Sequence, residues 1–196
     1  MGLLASVPHG LLHRSVRYAT RGQIEPIDQP AFIKPADPLA KTFDAGVYHD
    51  LRDLARGRPI PDDTPVLISD PVEWSSEFRC FILDGQIAAW SPYLSFGRTA
   101  WRPGQTGVMP RPLGEFVAEL GVALSGDLPP AYVVDVGLLD GDQWAVVEFN
   151  PVWCSGILGA DPDNVLTVIE RAAMPIDSLP ELDRRWLIRG DDGQSR

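Results

Sequence analysis

The sequence predicts a mixed α+β protein built on antiparallel sheets. Three observations carry that reading. Two apolar, β-rich segments fold back on themselves, at Asp84-Gly85 and at Asp140-Gly141-Asp142, with turn residues that suit hairpins. Segments of helical period are few and short, giving the order strand, helix, strand, hairpin, helix, hairpin, helix. Neither GxGxxG nor GxxxxGKS/T occurs, so a glycine-rich phosphate loop of either common type is absent.

Each element has a local reason. Residues 1–29 are mixed, with basic residues at Arg14, Arg17 and Arg21. "AFIKP" (31–35) is a short apolar run stopped by proline, so a strand should end at Lys34 or Pro35. "ADPLAKTFDAG" (36–46) has the small, polar, Pro-containing composition of a loop. Over 47–57, Val47, Leu51 and Leu54 recur at helical spacing, with Gly57 as a stop. Residues 64–72 read as a strand interrupted by Asp70-Pro71. In the first hairpin (76–95), Phe78, Cys80 and Ile82 share one face, and Glu77, Arg79 and Phe81 share the other. A helix over 112–126 has Pro112 near its start. The second hairpin spans 131–150, and a helix with an Asp or Asn cap spans 161–174. The remainder is a Pro-broken tail with frayed last residues.

The 196 residues suit one large domain or two small lobes sharing a cleft. No apolar run is long enough to span a membrane, and the N-terminus reads as carrying no signal peptide. The net charge of -10 argues against non-specific binding to nucleic acid or anionic membranes. A small anionic ligand held by local Lys and Arg remains compatible with it. Cys80 and Cys154 form no CxxC, so a reduced, cytoplasmic setting is expected. Cys154 has no suitably spaced partner for nucleophilic chemistry and reads as a buried structural thiol.

The chemistry concentrates in "WAVVEFNPVWCSG" (144–156). Glu148 and Asn150 stand two apart and share a strand face. Asp135 lies on the other arm of the same hairpin, opposite that segment. Two carboxylates and an amide oxygen are hard donors that suit Mg²⁺ or Mn²⁺. Without a cation the carboxylates would repel and be costly to bury. A solvated polar hairpin face is the simpler alternative, and Asn150 before Pro151 also suits a turn.

Basic and polar groups surround this trio in sequence. Lys34 ends an apolar strand and needs an anionic partner. Lys41 follows in the small-residue loop, and a phosphate chain would satisfy both lysines. The extended segment at Asp70 and Val72 offers backbone groups to a base edge. Glu77 can accept from ribose hydroxyls. Arg79 can clamp a phosphate or carboxylate, or pair structurally with a Glu. Trp90, Tyr93, Arg98 and Arg102 are candidates to line an acceptor pocket, or form an ordinary exposed loop with a buried Trp.

These residues resemble the ATP-grasp superfamily. The resemblance lies in ordered elements over roughly residues 30–160: "FIKP", a small-residue loop with a second lysine, "LISDPVEWSSEFRCFILDG", "VVDVG" and "VVEFNPVWCSG". Its most specific feature is Asp135 followed thirteen residues later by Glu-x-Asn. It is most similar to the clade named for two arginines and a lysine. The resemblance implies two α+β lobes with antiparallel sheets enclosing a nucleotide cleft. Residues 1–70 would be an N-terminal lid lobe, 71–175 a C-terminal catalytic lobe and 176–196 a tail. Lys34 would contact the α-phosphate and adenine N7 region, and Lys41 would cover the phosphates. Asp70 and the backbone around Val72 would read adenine, and Glu77 the ribose. Asp135, Glu148 and Asn150 would hold Mg²⁺ or Mn²⁺. Arg79 would aim at the γ-phosphate or an acyl phosphate.

The implied reaction is ATP- and Mg²⁺-dependent ligation of a carboxylate to an amine through an acyl phosphate. Small-molecule or peptide substrates are implied, with no nucleic-acid or membrane partner. Relatives usually carry a further domain ahead of the "FIKP" strand, which implies a truncated form, a second copy or partner chain that supplies that part, or substrate bound differently. Two alternatives keep the nucleotide: a small-molecule kinase on the same fold, and a binding module without turnover. A metal-binding domain with no nucleotide would leave Lys34 and "SDPVEWSSE" unexplained.

Overall fold

The computed structural model describes residues 2–26, 28–37, 42–54, 59–104, 107–140 and 142–187. A 3-10 turn (Leu3–Ser6) and a one-turn helix α1 (His9–Leu12) lead into strand β1 (Val16–Thr20). Strands β2 (Ala31–Pro35), β3 (Gly46–Tyr48) and β4 (Pro65–Ser69) join it in an antiparallel sheet of order β1-β4-β2-β3. The first hairpin follows as β5 (Trp74–Leu83) and β6 (Gln86–Ser95), with a short β7 (Arg98–Thr99) at its edge. Helix α2 (Arg111–Ala123), the second hairpin β8 (Ala131–Leu139) and β9 (Gln143–Asn150), and helix α3 (Pro162–Ala172) complete the core elements. The second sheet has order β7-β6-β5-β8-β9 and is also antiparallel. The chain is therefore of the mixed α+β class expected from its hairpins.

Local chemistry explains the elements. Asp84 and Gly85 both take positive φ (46° and 81°), the two-residue turn whose twist matches a hairpin. Helix α2 buries Leu113, Phe116, Val117 and Leu120, the i, i+3, i+4, i+7 stripe of an amphipathic helix. The carboxylate of Asp161 accepts from the Asn164 N–H at 2.9 Å and caps α3.

One face of the second sheet packs beneath α1 and α2, where Cys80, Ile82, Val134, Val136 and Val146 meet Leu11, Leu113, Phe116 and Leu120. Leu4, Val7 and Leu12 belong to the same cluster, so the opening segment serves the second sheet. On the opposite face, α3 covers one end through Phe81, Val133, Val165 and Val168. The first sheet has its own cluster around Ile33, Val66 and Ile68, closed by Leu54 and Ile60.

Three readings change. The helix expected over 47–57 is instead β3 plus a 3-10 turn at Leu51–Asp53, with 55–58 outside the described residues. The pairing Ala31↔Tyr48 draws this segment onto the sheet edge, and Asp50 accepts from the Arg52 N–H to start the turn. The mixed N-terminal stretch contains β1, whose exposed Arg17 and Tyr18 hide its alternation. Cys154 is exposed, and Cys80 is the buried thiol, pushed well above its ordinary pKa by burial. Residues 188–196 of the tail lie outside the described residues. Among the described residues, no helix is long and apolar enough to cross a membrane.

Candidate functional site

The part of the second sheet that α3 leaves uncovered carries a row of polar side chains. Cross-strand pairing sets Arg79 opposite Asp135, and Asp135 opposite Glu148. Paired residues share a face, so three adjacent strands offer Arg79, Asp135 and Glu148 side by side. Asn150, two residues beyond Glu148, joins them, and Glu77 flanks Arg79 on β5. The sequence-expected convergence of Asp135, Glu148 and Asn150 is present in space. The Nδ2 of Asn150 donates to Glu148 Oε1 at 2.9 Å and to Asp135 Oδ2 at 3.3 Å.

Lys34 reaches this row from the first sheet. Its Nζ donates to Glu148 Oε2, and both side chains are mostly buried. Lys34 thus has the anionic partner its place in an apolar strand demands, and that partner is Glu148. Burial pushes the Glu148 carboxyl up, but the charge and hydrogen bond of Lys34, with Asn150, bring it below its ordinary value.

Asp135 is fully buried. Arg79 holds it in bidentate fashion, Nε to Oδ1 at 2.8 Å and Nη2 to Oδ2 at 2.7 Å. Arg79 also donates through Nη1 to the Gly156 carbonyl at 3.2 Å, and its guanidinium lies 5.0 Å from the Tyr93 ring centroid. Burial pushes Asp135 up to about 6, with Arg79 pulling down and Glu148 adding to the rise. Glu77 is buried too, and no described residue donates a hydrogen bond to its carboxylate. Burial first, then the charges of Asp135 and Glu148, raise it to about 7, against the opposing charge of Arg79.

Other expected residues lie apart from this row. Asp70 is exposed, and its carboxylate accepts from the Ser15 N–H at 2.8 Å while its own N–H donates to the Ser15 carbonyl at 3.2 Å. That pairing ties the chain after β4 to the start of β1. Val72 is half-buried in the connection to β5. Lys41 lies outside the described residues. Trp90 packs against Phe78 in the cluster beneath α2, on the face away from the polar row. Tyr93 is on the site side, and Arg98 is exposed on β7. Arg14 is the neighbour that the sequence did not flag for a role: it is buried and bonds the carbonyls just before Glu148.

The donor chemistry fits a hard divalent cation. Glu148 and Asn150 are half-buried, beside the fully buried Asp135 that Arg79 holds. Among the described residues, no three His, Cys, Asp or Glu side chains form a metal-binding group, and the Asn150 amide turns its Nδ2 toward both carboxylates. In this structure Lys34 and Arg79 neutralise the carboxylates that a cation would meet.

Solved structures give the fold a context. A D-alanine–D-alanine ligase from Bacillus anthracis superposes with a TM-score of 0.53 at 16% identity, over 84% of this chain and 63% of that one. The ATP-grasp ligase PsnB, solved with precursor peptide PsnA2 and AMPPNP, matches at 11% identity over 84% and 54% of the two chains, with a TM-score of 0.46. A RimK domain ATP-grasp protein from Sphaerobacter thermophilus matches at 18% identity over 76% and 54%, with a TM-score of 0.45. The chain therefore spans 54% to 63% of the length of these three proteins. No curated protein matches it. One family model matches residues 11–168, which include every side chain of the polar row. It describes an ATP-grasp domain, the second family of the clade named for two arginines and a lysine. The chain belongs to that family of ATP-grasp domains.

Proposed function

We propose that this chain binds ATP with Mg²⁺ or Mn²⁺ and serves a ligase that joins a carboxylate to an amine. One observation carries the reading: Lys34 from one sheet pairs with Glu148 on the other, where Asn150 bonds both Glu148 and Asp135. A cation site beside a half-buried lysine is an arrangement that phosphoryl transfer uses to neutralise developing charge.

The residues divide the work. Glu148 and Asn150, with Asp135 behind them, would hold the cation. Lys34, released from Glu148 as the cation binds there, would turn to the phosphates, joined by Lys41. Glu77 would accept from ribose hydroxyls, which would reward the burial of an otherwise unbonded carboxylate. The backbone near Val72 would read the adenine edge, since the Asp70 carboxylate is engaged with Ser15. Arg79 would keep Asp135 ionised and oriented, with its charge directed toward the γ-phosphate or acyl phosphate. Bound ATP supplies the phosphoryl group that activates a carboxylate, so that an amine can displace phosphate and form an amide. Residues 1–70 would act as the lid lobe, 71–175 as the catalytic lobe and 176–196 as a tail. The substrates would be small molecules or peptides, in a reduced cytoplasmic setting compatible with two free cysteines.

The test is calorimetric binding of a non-hydrolysable ATP analogue with and without Mg²⁺. Mg²⁺-dependent binding is expected. Glu148→Gln and Lys34→Ala should each weaken it by about tenfold or more, roughly 1.4 kcal/mol per decade, with the fold intact by circular dichroism. Unchanged binding in both folded variants would sink the assignment. Amine-dependent ADP release would then separate a ligase from a kinase.

A further inference from the structure

The polar row exists because β9 carries one extra residue. Along β8 and β9 the pairing runs Gly137↔Ala145 and Val136↔Val146, then steps to Asp135↔Glu148. Val147 is left over, a β-bulge. Its consequence is visible in packing. Trp144, Val146 and Phe149 all pack in the cluster beneath α2, at spacings of two and then three. A regular strand would continue Trp144 and Val146 with Glu148 and Asn150 on that same face. Both polar groups would then point at Leu113, Phe116 and Leu120. The extra residue turns them to the face of Asp135 and Lys34.

Arg14 sits on that bulge. It is 6% exposed, and among the described residues it forms no ion pair. Its Nη1 donates to the Val146 carbonyl at 2.8 Å and to the Leu12 carbonyl at 3.2 Å, and its Nη2 donates to the Val147 carbonyl at 3.1 Å. The planar fork therefore spans the bulged residue and the one before it. The guanidinium lies 5.1 Å from the Trp74 ring centroid. Trp74 in turn lies on Gly137, where a Cβ would come within 2.5 Å of the ring. Burial draws Arg14 down to about 10, with the charge of Asp70 in opposition. An apolar side chain would fill the space without that penalty, but would offer no donors to the two carbonyls.

We propose that Arg14 is a positioning residue: by holding the carbonyls of Val146 and Val147 it maintains the bulge that turns Glu148 and Asn150 toward Asp135. The link from that bulge to nucleotide and cation binding rests on the function proposed above. Arg14 itself touches neither Glu148 nor Asn150 through its side chain, and acts through the backbone of β9.

The test compares the full chain with Arg14→Met, which keeps an apolar stem, and Arg14→Lys, which keeps a charge but loses the fork. The first readout needs no ligand: cross-strand NOEs and amide exchange along β8 and β9. In Arg14→Met the Asp135–Glu148 pairing should be lost or heterogeneous, with exchange at Val147 and Glu148 faster by about tenfold or more than in flanking ladder residues. Arg14→Lys, should Arg14→Met fail to fold, should show the same effect at smaller size. Wild-type pairing and protection in either folded variant would overturn the proposal. The second readout is Mn²⁺ affinity with a non-hydrolysable ATP analogue present. It should fall by about 10–100-fold, as for other residues that orient metal ligands, while metal-free analogue binding stays within about threefold of wild type. Equal loss with and without metal would show general damage and overturn the positioning role. If wild type binds no nucleotide, the proposed function fails, and the NOE and exchange data still decide the role of Arg14.

Discussion

Glu77 is a carboxyl held against its own charge. It is buried, close to two other carboxylates, and raised to about 7. A carboxyl with a folded pKa above its unfolded value of 4.5 binds its proton more tightly when folded. The free protein should therefore lose stability as pH rises from about 4.5 to about 7, and lose no more from this group above that. Glu77→Gln should remove that slope and stabilise the free protein at pH 8 by an amount on the order of 2 kcal/mol. Urea unfolding between pH 4 and 8 checks it, and an unchanged slope in the variant would refute it. The sequence named Glu77 and Arg79 as one face of a strand, and that reading needed only the alternation of β5. It could not show that Arg79 takes Asp135 as its partner, because that pairing depends on which strand lies beside β5. The Asp70 contact was illegible for a related reason: nothing local reveals that Ser15, far away in sequence, donates to its carboxylate.

At the scale of elements, the hairpins were legible and the bulge was not. The Asp84-Gly85 turn declares itself, because positive φ at both central positions selects those residues. A bulge is one residue within an otherwise apolar run, and "WAVVEFN" reads equally well with or without it. The segment 47–57 failed differently: Val47, Leu51 and Leu54 fit a helical stripe, but sheet-edge pairing of Tyr48 overrides that weak signal. Gly137 tests the packing around the bulge. Its backbone φ is not in the left-handed region, so Gly137→Ala is a steric change against Trp74 and the Ser76 carbonyl, at 2.5 and 2.9 Å from the added Cβ. It should destabilise the protein by about 1–3 kcal/mol. Gly85→Ala meets nothing within 4 Å but sits at φ 81°, so its smaller cost, about 1 kcal/mol, would come from the backbone. Thermal melts of the two variants check the order; equal or reversed losses would contradict the packing around Trp74.

At the scale of the whole molecule, the Lys34–Glu148 pair spans the two sheets, and a nucleotide that replaces it should join them more strongly. An ATP analogue with Mg²⁺ at about 100 times its Kd should stabilise the native state by about 2.7 kcal/mol. For a chain of this size that is a rise in Tm of roughly 5–10 °C. Differential scanning calorimetry should find the shift in wild type and lose most of it in Lys34→Ala. By itself the sequence determined the antiparallel α+β class, the two hairpins, and the residue types at the site: a lysine ending an apolar strand and three oxygen donors on one hairpin. Those follow from turn chemistry and the two-residue period, which act over a few neighbours. Only the tertiary structure decided that Lys34 pairs with Glu148, that Arg79 is committed to Asp135, and that Arg14 grips the bulge. These contacts join residues 56 to 133 positions apart. Their geometry is set by how the sheets pack and where the ladder slips by one residue, and neither is written in any local stretch of the chain.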